Sequence, residues 1–296
     1  MSSHHPIVES LPVEWLTKYS YALLNPLNVE QDDWKGLPAI PLAPTKAKMR
    51  PHILPQLISL KGLSHDDRKT IFERILRYQK RGVSYFCALL ASHATADDVA
   101  AHLKHHLVQR RPGDPRHWWL RYYDPHVFRH FSWIFEPEQV DRLLGPITEW
   151  VWPDEKGQWY CRSHRPYMEA SIFHLMPTSS QWKRIDNVVE VNRMIDHLVI
   201  RMPQLHQSPS LWALIDHLFE KADDVLSSED TYGRILFVEQ GVRFHPQIHS
   251  HPILAERIAC IQGRGVDYRE VCFDLDEVDM KRMAGEVNKQ YYTWGR

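Results

Sequence analysis

The stretch HWWLRYYDPHVF, residues 117–128, places a β-type run directly before the start of a helix. Aromatic residues dominate 117–123, which predicts a strand there. Asp124 and Pro125 then predict a helix that runs to Phe135, because Asp accepts backbone N–H bonds at an N-cap. Pro at the first helical position gives up only a donor that has no partner there. We therefore predict that Asp124 and Pro125 form a structural corner between a strand and a helix.

The alternation of strands and helices extends on both sides of this corner. Asp98 stands three residues after Thr95, a spacing that is typical of a capping box. Strands are predicted at 19–24, 52–60 and 83–90, helices at 66–81 and 95–110, and a hairpin that joins 147–152 to 159–162. This pattern predicts an N-terminal sheet flanked by helices, of the α+β or α/β class.

Helical periodicity replaces the β-type runs beyond Pro177. Apolar residues recur at helical spacing over 185–202 and 211–226. Further helices are predicted at about 230–243, 251–262 and 276–290. The sequence therefore predicts two domains, a sheet-and-helix lobe over residues 1–176 and a mostly α-helical lobe over residues 177–296.

Composition and charge argue against several classes of partner. The 296 residues include 36 Lys plus Arg and 37 Asp plus Glu, so no overall field attracts nucleic acid or an anionic membrane. The start of the sequence lacks a signal-peptide pattern, and no apolar run approaches the length of a membrane span. The four cysteines form no C-x-x-C pair, which is typical of a reducing compartment. We expect a cytoplasmic protein that binds no nucleic acid and does not insert into membranes.

No established catalytic or cofactor motif occurs in the sequence. It contains no G-x-S-x-G elbow, H-E-x-x-H pair, P-loop or G-x-G-x-x-G fingerprint. The densest histidine group is His245, His249 and His251, and an H-x-H pair with a third histidine can bind a transition metal. Pro246 and Pro252 place this group in a turn with no acid between the histidines. We expect no enzymatic activity, no metal and no cofactor, and a metal-dependent hydrolase that uses the His245–His251 turn is the alternative.

Tryptophan is concentrated in one part of the chain, where six of the eleven lie within 118–159. Trp118 and Trp119 are adjacent on one predicted strand and must point to opposite faces. These rings either fill the core on both sides of a covered sheet or anchor a protein partner, where Trp, Tyr and Arg commonly dominate the affinity. A nucleic-acid-binding protein that stacks bases on them is a further alternative. The predicted partner-binding residues are Trp119, Arg121, Tyr123 and Trp152.

Three segments resemble a known protein family. Residues 21–25, Tyr-Ala-Leu-Leu-Asn, are similar to a strand end that usually reads Ala-Leu-Leu-Asp. Residues 120–128 are similar to an Arg-Phe-x-Asp-Pro-Arg-Val-Leu signature, and the run from Phe135 to Ile147 is similar to the helix and Trp-rich strand that follow it. Over about residues 19–160 the chain thus resembles the type VI secretion effector adaptors or chaperones, called Tap or TEC proteins. Asn25 and His126 depart from the Asp and Arg that are commoner in that family.

The resemblance implies a bacterial, non-enzymatic factor of the cytoplasm. Such a factor binds a cognate secreted effector, a toxin, and helps to load it onto the spike-tip protein. It implies that residues 1–176 form the adaptor/chaperone lobe, with effector and spike-tip protein as partners. A surface for this purpose needs aromatic anchors that cover apolar segments of the effector.

Overall fold

The fold consists of two compact units, described by a computed structural model over residues 7–44, 50–164, 175–261 and 267–293. The units are Met1–Ile185 and Asp186–Arg296. The division between functional lobes after residue 176 stays a prediction. None of the helices in these four ranges combines the length and the apolar character needed to cross a membrane.

Eight short strands form two separate sheets in the described part of the first unit. The strands are β1 Tyr21–Leu24, β2 Ala39–Pro41, β3 Gln56–Ser59, β4 Ala88–Ser92, β5 Val108–Arg110, β6 His117–Trp119, β7 Ile147–Pro153 and β8 Trp159–Ser163. Six of them form one sheet in the order β2-β3-β1-β4-β7-β8, and β5 pairs with β6 in a second sheet. Every pair is antiparallel. The predicted fold class is therefore confirmed in its α+β form.

The centre of the large sheet is built from apolar strands. All four residues of β1 are buried, and its neighbour β4 contributes Leu89 and Leu90, which have no exposed surface. An interior strand that is covered on both faces reads as a continuous apolar run, which explains why this segment was recognisable in the sequence. The predicted hairpin is also confirmed, since Trp150 of β7 pairs with Arg162 of β8.

Six helices of the described residues precede the second unit. They are α1 Trp15–Lys18, α2 His65–Gln79, α3 Ala96–Leu107, α4 Pro125–Phe128, α5 Phe131–Ile134 and α6 Pro137–Leu144. Ser64 and Asp67 form a reciprocal capping box at the start of α2. Ile71, Ile75 and Tyr78 of this helix are buried in one core cluster with strands β1 and β4.

Two predicted elements around the Asp124-Pro125 corner are wrong in extent. The predicted helix 95–110 ends at Leu107, because residues 108–110 form β5 instead. The predicted helix 124–135 is two short helices, since the N–H of His130 donates to the carbonyl of Val127, an i to i−3 bond that tightens the chain between α4 and α5. Hydrophobic periodicity reports neither change, because β5 forms by pairing with β6 and the break between α4 and α5 follows from the tightened bond at His130.

The second unit is mostly helical over its described residues, which confirms the predicted mostly α-helical C-terminal region. Its helices are α7 Ser179–Arg201, whose first residues belong to the first unit, α8 Pro209–Val225, α9 Thr231–Arg243, α10 Pro252–Ile261, α11 Tyr268–Cys272 and α12 Glu277–Thr293. One core cluster joins them, with Leu198, Ile215, Leu218, Val238 and Met283 fully buried. Helices α8 and α9 approach closely at Gly241, where a Cβ would lie 2.6 Å from Leu218 Cδ2.

Candidate functional site

The predicted strand 117–123 forms only a short ribbon that is separate from the large sheet. Its strand part is β6, which pairs with β5 so that Val108 faces Trp119, Gln109 faces Trp118 and Arg110 faces His117. The intervening residues 111–116 include Pro112, Gly113 with a φ of +78°, and Pro115. The predicted strand is therefore shorter than 117–123, and the alternative that Trp118 and Trp119 lie in a sheet covered on both sides is wrong, because β6 pairs only with β5 and not with the large sheet.

The two faces of this ribbon differ in burial. The N–H of Leu120 donates to the carbonyl of Leu107 at 2.8 Å, and both side chains are buried. Alternation then places Gln109 and Trp118 on the inward face. The opposite face carries Val108, Arg110, His117 and Trp119, of which Arg110 and His117 are exposed and the other two half-buried. We call these four residues the ribbon face.

Cations surround the inward tryptophan. The guanidinium of Arg111 lies 3.7 Å from the ring centroid of Trp118 and 4.4 Å from that of Trp182, so it stacks against both rings. Arg116 contacts the Trp118 ring at 4.9 Å. The indole N–H of Trp118 donates to Asp114 Oδ2 at 3.0 Å. Hydrogen bonds from Arg116 are the largest cause that lowers the pKa of Asp114.

Trp182 covers one edge of the ribbon. Its indole N–H donates to the carbonyl of Arg110 at 3.4 Å, on the outer side of β5. Sequence reasoning missed the Arg111 and Trp182 contact, since the two residues are distant in the chain and no local pattern joins them. The ribbon itself had a signal, the Pro-Gly-Asp-Pro sequence at 112–115 between two short runs.

The Asp124-Pro125 corner has the predicted geometry. Asp124 Oδ1 accepts the backbone N–H of His126 at 3.0 Å and Pro125 occupies the first position of α4. Asp124 Oδ2 also accepts a hydrogen bond from Arg121 at 2.9 Å, so this acid partners the arginine. The side chain of Arg121 nevertheless remains 52% exposed.

The predicted partner-binding residues separate by burial. Trp119 is half-buried and Arg121 is exposed, whereas Tyr123 is 4% exposed and Trp152 is 7% exposed. The indole N–H of Trp119 reaches the hydroxyl of Tyr123 at 3.4 Å, and burial raises the pKa of that hydroxyl. Trp152 lies edge-on to Phe128 with ring centroids 5.1 Å apart. The structure thus brings Trp119, Arg121 and Tyr123 together and places Trp152 in the aromatic core.

The remaining tryptophans of the cluster are divided between core and surface. Trp150 has no exposed surface and stacks on Phe128 with ring centroids 4.6 Å apart, and Trp159 is also buried. Trp133 is half-buried and its indole N–H donates to His130 Nδ1 at 2.9 Å. Trp150, Trp152 and Trp159 therefore belong to the core, and a partner-anchoring role for the half-buried rings stays a prediction.

The histidine turn of the second unit has a structural environment. His251 Nε2 lies 2.9 Å from Glu286 Oε2, on α12. His249 stacks on Phe237 with ring centroids 3.4 Å apart, and burial lowers the pKa of His249 to about 3. Within the described ranges, no three His, Cys, Asp or Glu side chains are grouped so that they could hold a metal ion. The described residues therefore offer no metal site for the alternative of a metal-dependent hydrolase.

The matched family covers the ribbon and the corner. Residues 42–142 match the model of a domain of unknown function, DUF4123. This family is associated with adaptors of type VI secretion effectors. The match spans about a third of the chain, from the end of β2 to α6, and it contains the 120–128 signature. No curated protein and no solved structure matches the chain.

Proposed function

We propose that this chain is an adaptor or chaperone that binds a cognate type VI secretion effector in the bacterial cytoplasm and helps to load it onto the spike-tip protein. The observation that carries the proposal is the match to DUF4123 over residues 42–142, a family associated with effector adaptors. The ribbon and the Asp124-Pro125 corner both lie within the matched range. The proposed activity is binding and transfer, without catalysis, metal or cofactor.

The surface proposed for effector binding centres on Trp119 and Arg121. Both side chains have surface available to a partner, and Trp and Arg are the residue types that most often dominate binding energy at protein interfaces. The hydroxyl of the buried Tyr123 accepts the indole N–H of Trp119 and so helps to hold that ring in place. Trp152 is proposed to act indirectly, by holding α4 in position, since its ring packs on Phe128, the last residue of that helix.

Co-expression of the chain with the products of the genes that flank its own tests this proposal. Truncation of an anchoring residue commonly costs about 2 kcal/mol or more, which is roughly a thirtyfold loss of affinity. We expect Trp119→Ala and Arg121→Ala to remain folded and to bind the flanking toxin at least tenfold more weakly. Tyr232→Ala and Arg193→Ala are matched controls, because both residues are exposed on helices of the second unit.

Two results would contradict the proposal at different levels. If neither flanking product co-purifies with the parent chain, the adaptor function is wrong for those partners. If the toxin co-purifies and both variants retain it at parental affinity while folded, the adaptor function stands and this surface is wrong. Far-ultraviolet circular dichroism and thermal unfolding establish that each variant is folded before its affinity is compared.

A further inference from the structure

Among the residues that the structure describes, the outer edge of β6 pairs with no further strand. The hydrogen-bonded pair Leu107–Leu120 fixes the alternation along the antiparallel strands, so the backbone groups of Trp118 point toward β5. The N–H and C=O groups of His117 and Trp119 then point to the outer side of β6. No other backbone group in the described ranges is hydrogen-bonded to them. The opposite edge, at Arg110, is covered by Trp182.

The ribbon also differs in charge from the chain as a whole. Residues 108–121 contain four arginines and one aspartate, whereas the whole chain has a formal net charge of −1. Asp114 pairs with Arg116 at 2.8 Å. Arg110 is exposed and pairs with no acidic side chain in the described part of the chain. The exposed guanidinium of Arg110 on the ribbon face, near the outer edge of β6, complements a negatively charged, extended polypeptide.

Nucleic acid fits this surface less well than a polypeptide. Bases bind single-strand proteins by stacking on open aromatic rings. The ring of Trp118 is already contacted by Arg111 and Arg116, and Trp119 is half-buried with its indole N–H directed at Tyr123. Unpaired strand N–H and C=O groups, by contrast, are recognised by the backbone of another strand.

We propose that an acidic, extended segment of the partner protein adds to the open edge of β6 as a third strand of the ribbon. Its backbone bonds to His117 and Trp119, its acidic side chains lie on the ribbon face with His117 and Arg110, and its apolar side chains lie on the opposite face, with Trp118. This inference rests on the proposed adaptor function and specifies the chemistry of the bound segment. Alternation along a strand requires that the acidic residues occur at every second position.

Fluorescence anisotropy with synthetic peptides tests the chemistry. The probe is a labelled ten-residue peptide that alternates glutamate with valine, and the controls replace glutamate by lysine or place proline at two central positions. We expect the acidic peptide to bind, with affinity that falls as salt rises, and both controls to bind at least tenfold more weakly. Equal binding of the acidic and the lysine peptide would overturn the proposal, as would equal binding of the proline peptide.

Paired variants of His117 test the strand geometry. Because the N–H of His117 points outward, His117→Pro removes a donor from the open edge without removing a bond between β5 and β6. His117→Ala removes the same imidazole but keeps the N–H. We expect His117→Pro to bind the acidic peptide at least fivefold more weakly than His117→Ala, with both variants folded. Equal affinities of the two variants would show that the edge backbone does not bind the peptide.

Charge reversal tests the ribbon face. Arg110→Glu is expected to weaken binding of the acidic peptide at least tenfold, whereas Arg193→Glu, an exposed arginine on α7, should leave it unchanged. Equal effects of the two variants would overturn the proposal. Tighter binding of a twenty-nucleotide oligothymidine, with displacement of the peptide, would assign the surface to nucleic acid instead.

The peptide measurements and the toxin co-purification fail independently. Peptide binding that depends on Arg110 and His117, together with no binding of the flanking toxin, supports the surface and contradicts the adaptor function for that toxin. Toxin binding that is unaffected by Arg110→Glu and His117→Pro supports the adaptor function and contradicts the strand-addition mode.

Discussion

Arg121 and Asp124 are joined by a hydrogen bond of 2.9 Å, while the second carboxylate oxygen of Asp124 caps α4 through the N–H of His126 at 3.0 Å. The carboxylate of Asp124 therefore holds both the side chain of Arg121 and the first turn of α4. The ion pair is largely exposed at Arg121, where such pairs contribute about 0–1 kcal/mol. The N-cap contributes more, because a lost cap costs roughly 0.5–2 kcal/mol.

Asp124→Ala should lower the free energy of unfolding by roughly 0.5–2 kcal/mol, because both the cap and the pair are lost. Asp124→Asn keeps a capping oxygen and should lie close to the parent, and Arg121→Ala should also lie close to it. Chemical denaturation of the three variants measures these differences. A destabilisation of Asp124→Asn as large as that of Asp124→Ala would show that the charge, and not the cap, dominates at this corner.

The sequence predicted those elements whose stability is local or whose strands are continuously apolar. The N-cap at Thr95, the α2 helix and the β7–β8 hairpin carry their signals within a few neighbouring residues. The helix-to-ribbon change after Leu107 was not predicted, because the apolar spacing of α3 continues smoothly toward Arg110. Pairing with β6 overrides that spacing, and the local Pro-Gly-Asp-Pro sequence at 112–115 predicts a turn but not the residue at which α3 ends.

The candidate site was predictable only in its residue types. The concentration of Trp, Tyr and Arg indicated a partner surface or a core. Which side chains of β6 lie on which face, and the burial of Trp152, follow from tertiary packing. The Arg111 stack on Trp118 and Trp182 joins residues from the ribbon and α7. No periodicity or motif in the sequence connects these residues, so only the structure could reveal the contact.

Gly145, which follows α6, is expected to tolerate no side chain. Its φ of 52° and ψ of −111° disfavour other residues, and a Cβ there would lie 2.2 Å from Cε1 of His102. His102 cannot easily move, since its Nε2 lies 2.9 Å from the carbonyl of Leu143. We predict that Gly145→Ala lowers the free energy of unfolding by about 2 kcal/mol or more.

A double-mutant cycle separates the two causes of that loss. In a His102→Ala background the clash is absent and only the backbone cost remains, so Gly145→Ala should be less destabilising there. Denaturant unfolding of the four proteins provides the comparison. An identical cost of Gly145→Ala in both backgrounds would mean that His102 does not set the constraint.

The contact between His126 and Glu155 predicts a pH-dependent part of the stability. His126 Nδ1 lies 2.9 Å from Glu155 Oε1, and Arg129 approaches the same carboxylate at 3.2 Å. The hydrogen bond to Glu155 raises the pKa of His126 against the opposing effect of burial. Burial acts to raise the pKa of Glu155, but His126 and Arg129 outweigh it and lower that pKa to about 2.

Because the folded pKa of His126 is raised, its stabilisation is fully present below the unfolded value of about 6.5 and is lost as pH rises through the folded pKa. The Tm difference between the parent and His126→Ala should therefore be larger at pH 5.5 than at pH 9. In a Glu155→Gln background this pH dependence should nearly vanish. A Tm difference that grows with pH in the parent background would have the wrong sign for this contact.

The buried imidazole of His249 leads us to expect that the second unit loses stability at acidic pH. Its imidazole stacks on Phe237 at an interplanar angle of 6°, and neither ring nitrogen has a hydrogen-bond partner in the described part of the chain. Burial, aided by the charge of Lys221, lowers the pKa of His249 to about 3. Since the unfolded value is about 6.5, the unfolded chain binds a proton that the folded chain excludes, and stability falls as pH drops below about 6.5.

His249→Phe preserves an aromatic ring against Phe237 and removes two unsatisfied nitrogens, so we expect this variant to be at least as stable as the parent at pH 7. It should also lose less Tm than the parent between pH 7 and pH 4.5. Thermal unfolding at both pH values, with and without added zinc, measures this. A parent Tm that zinc raises, with no such rise in His249→Phe, would instead favour the metal site at the His245–His251 turn.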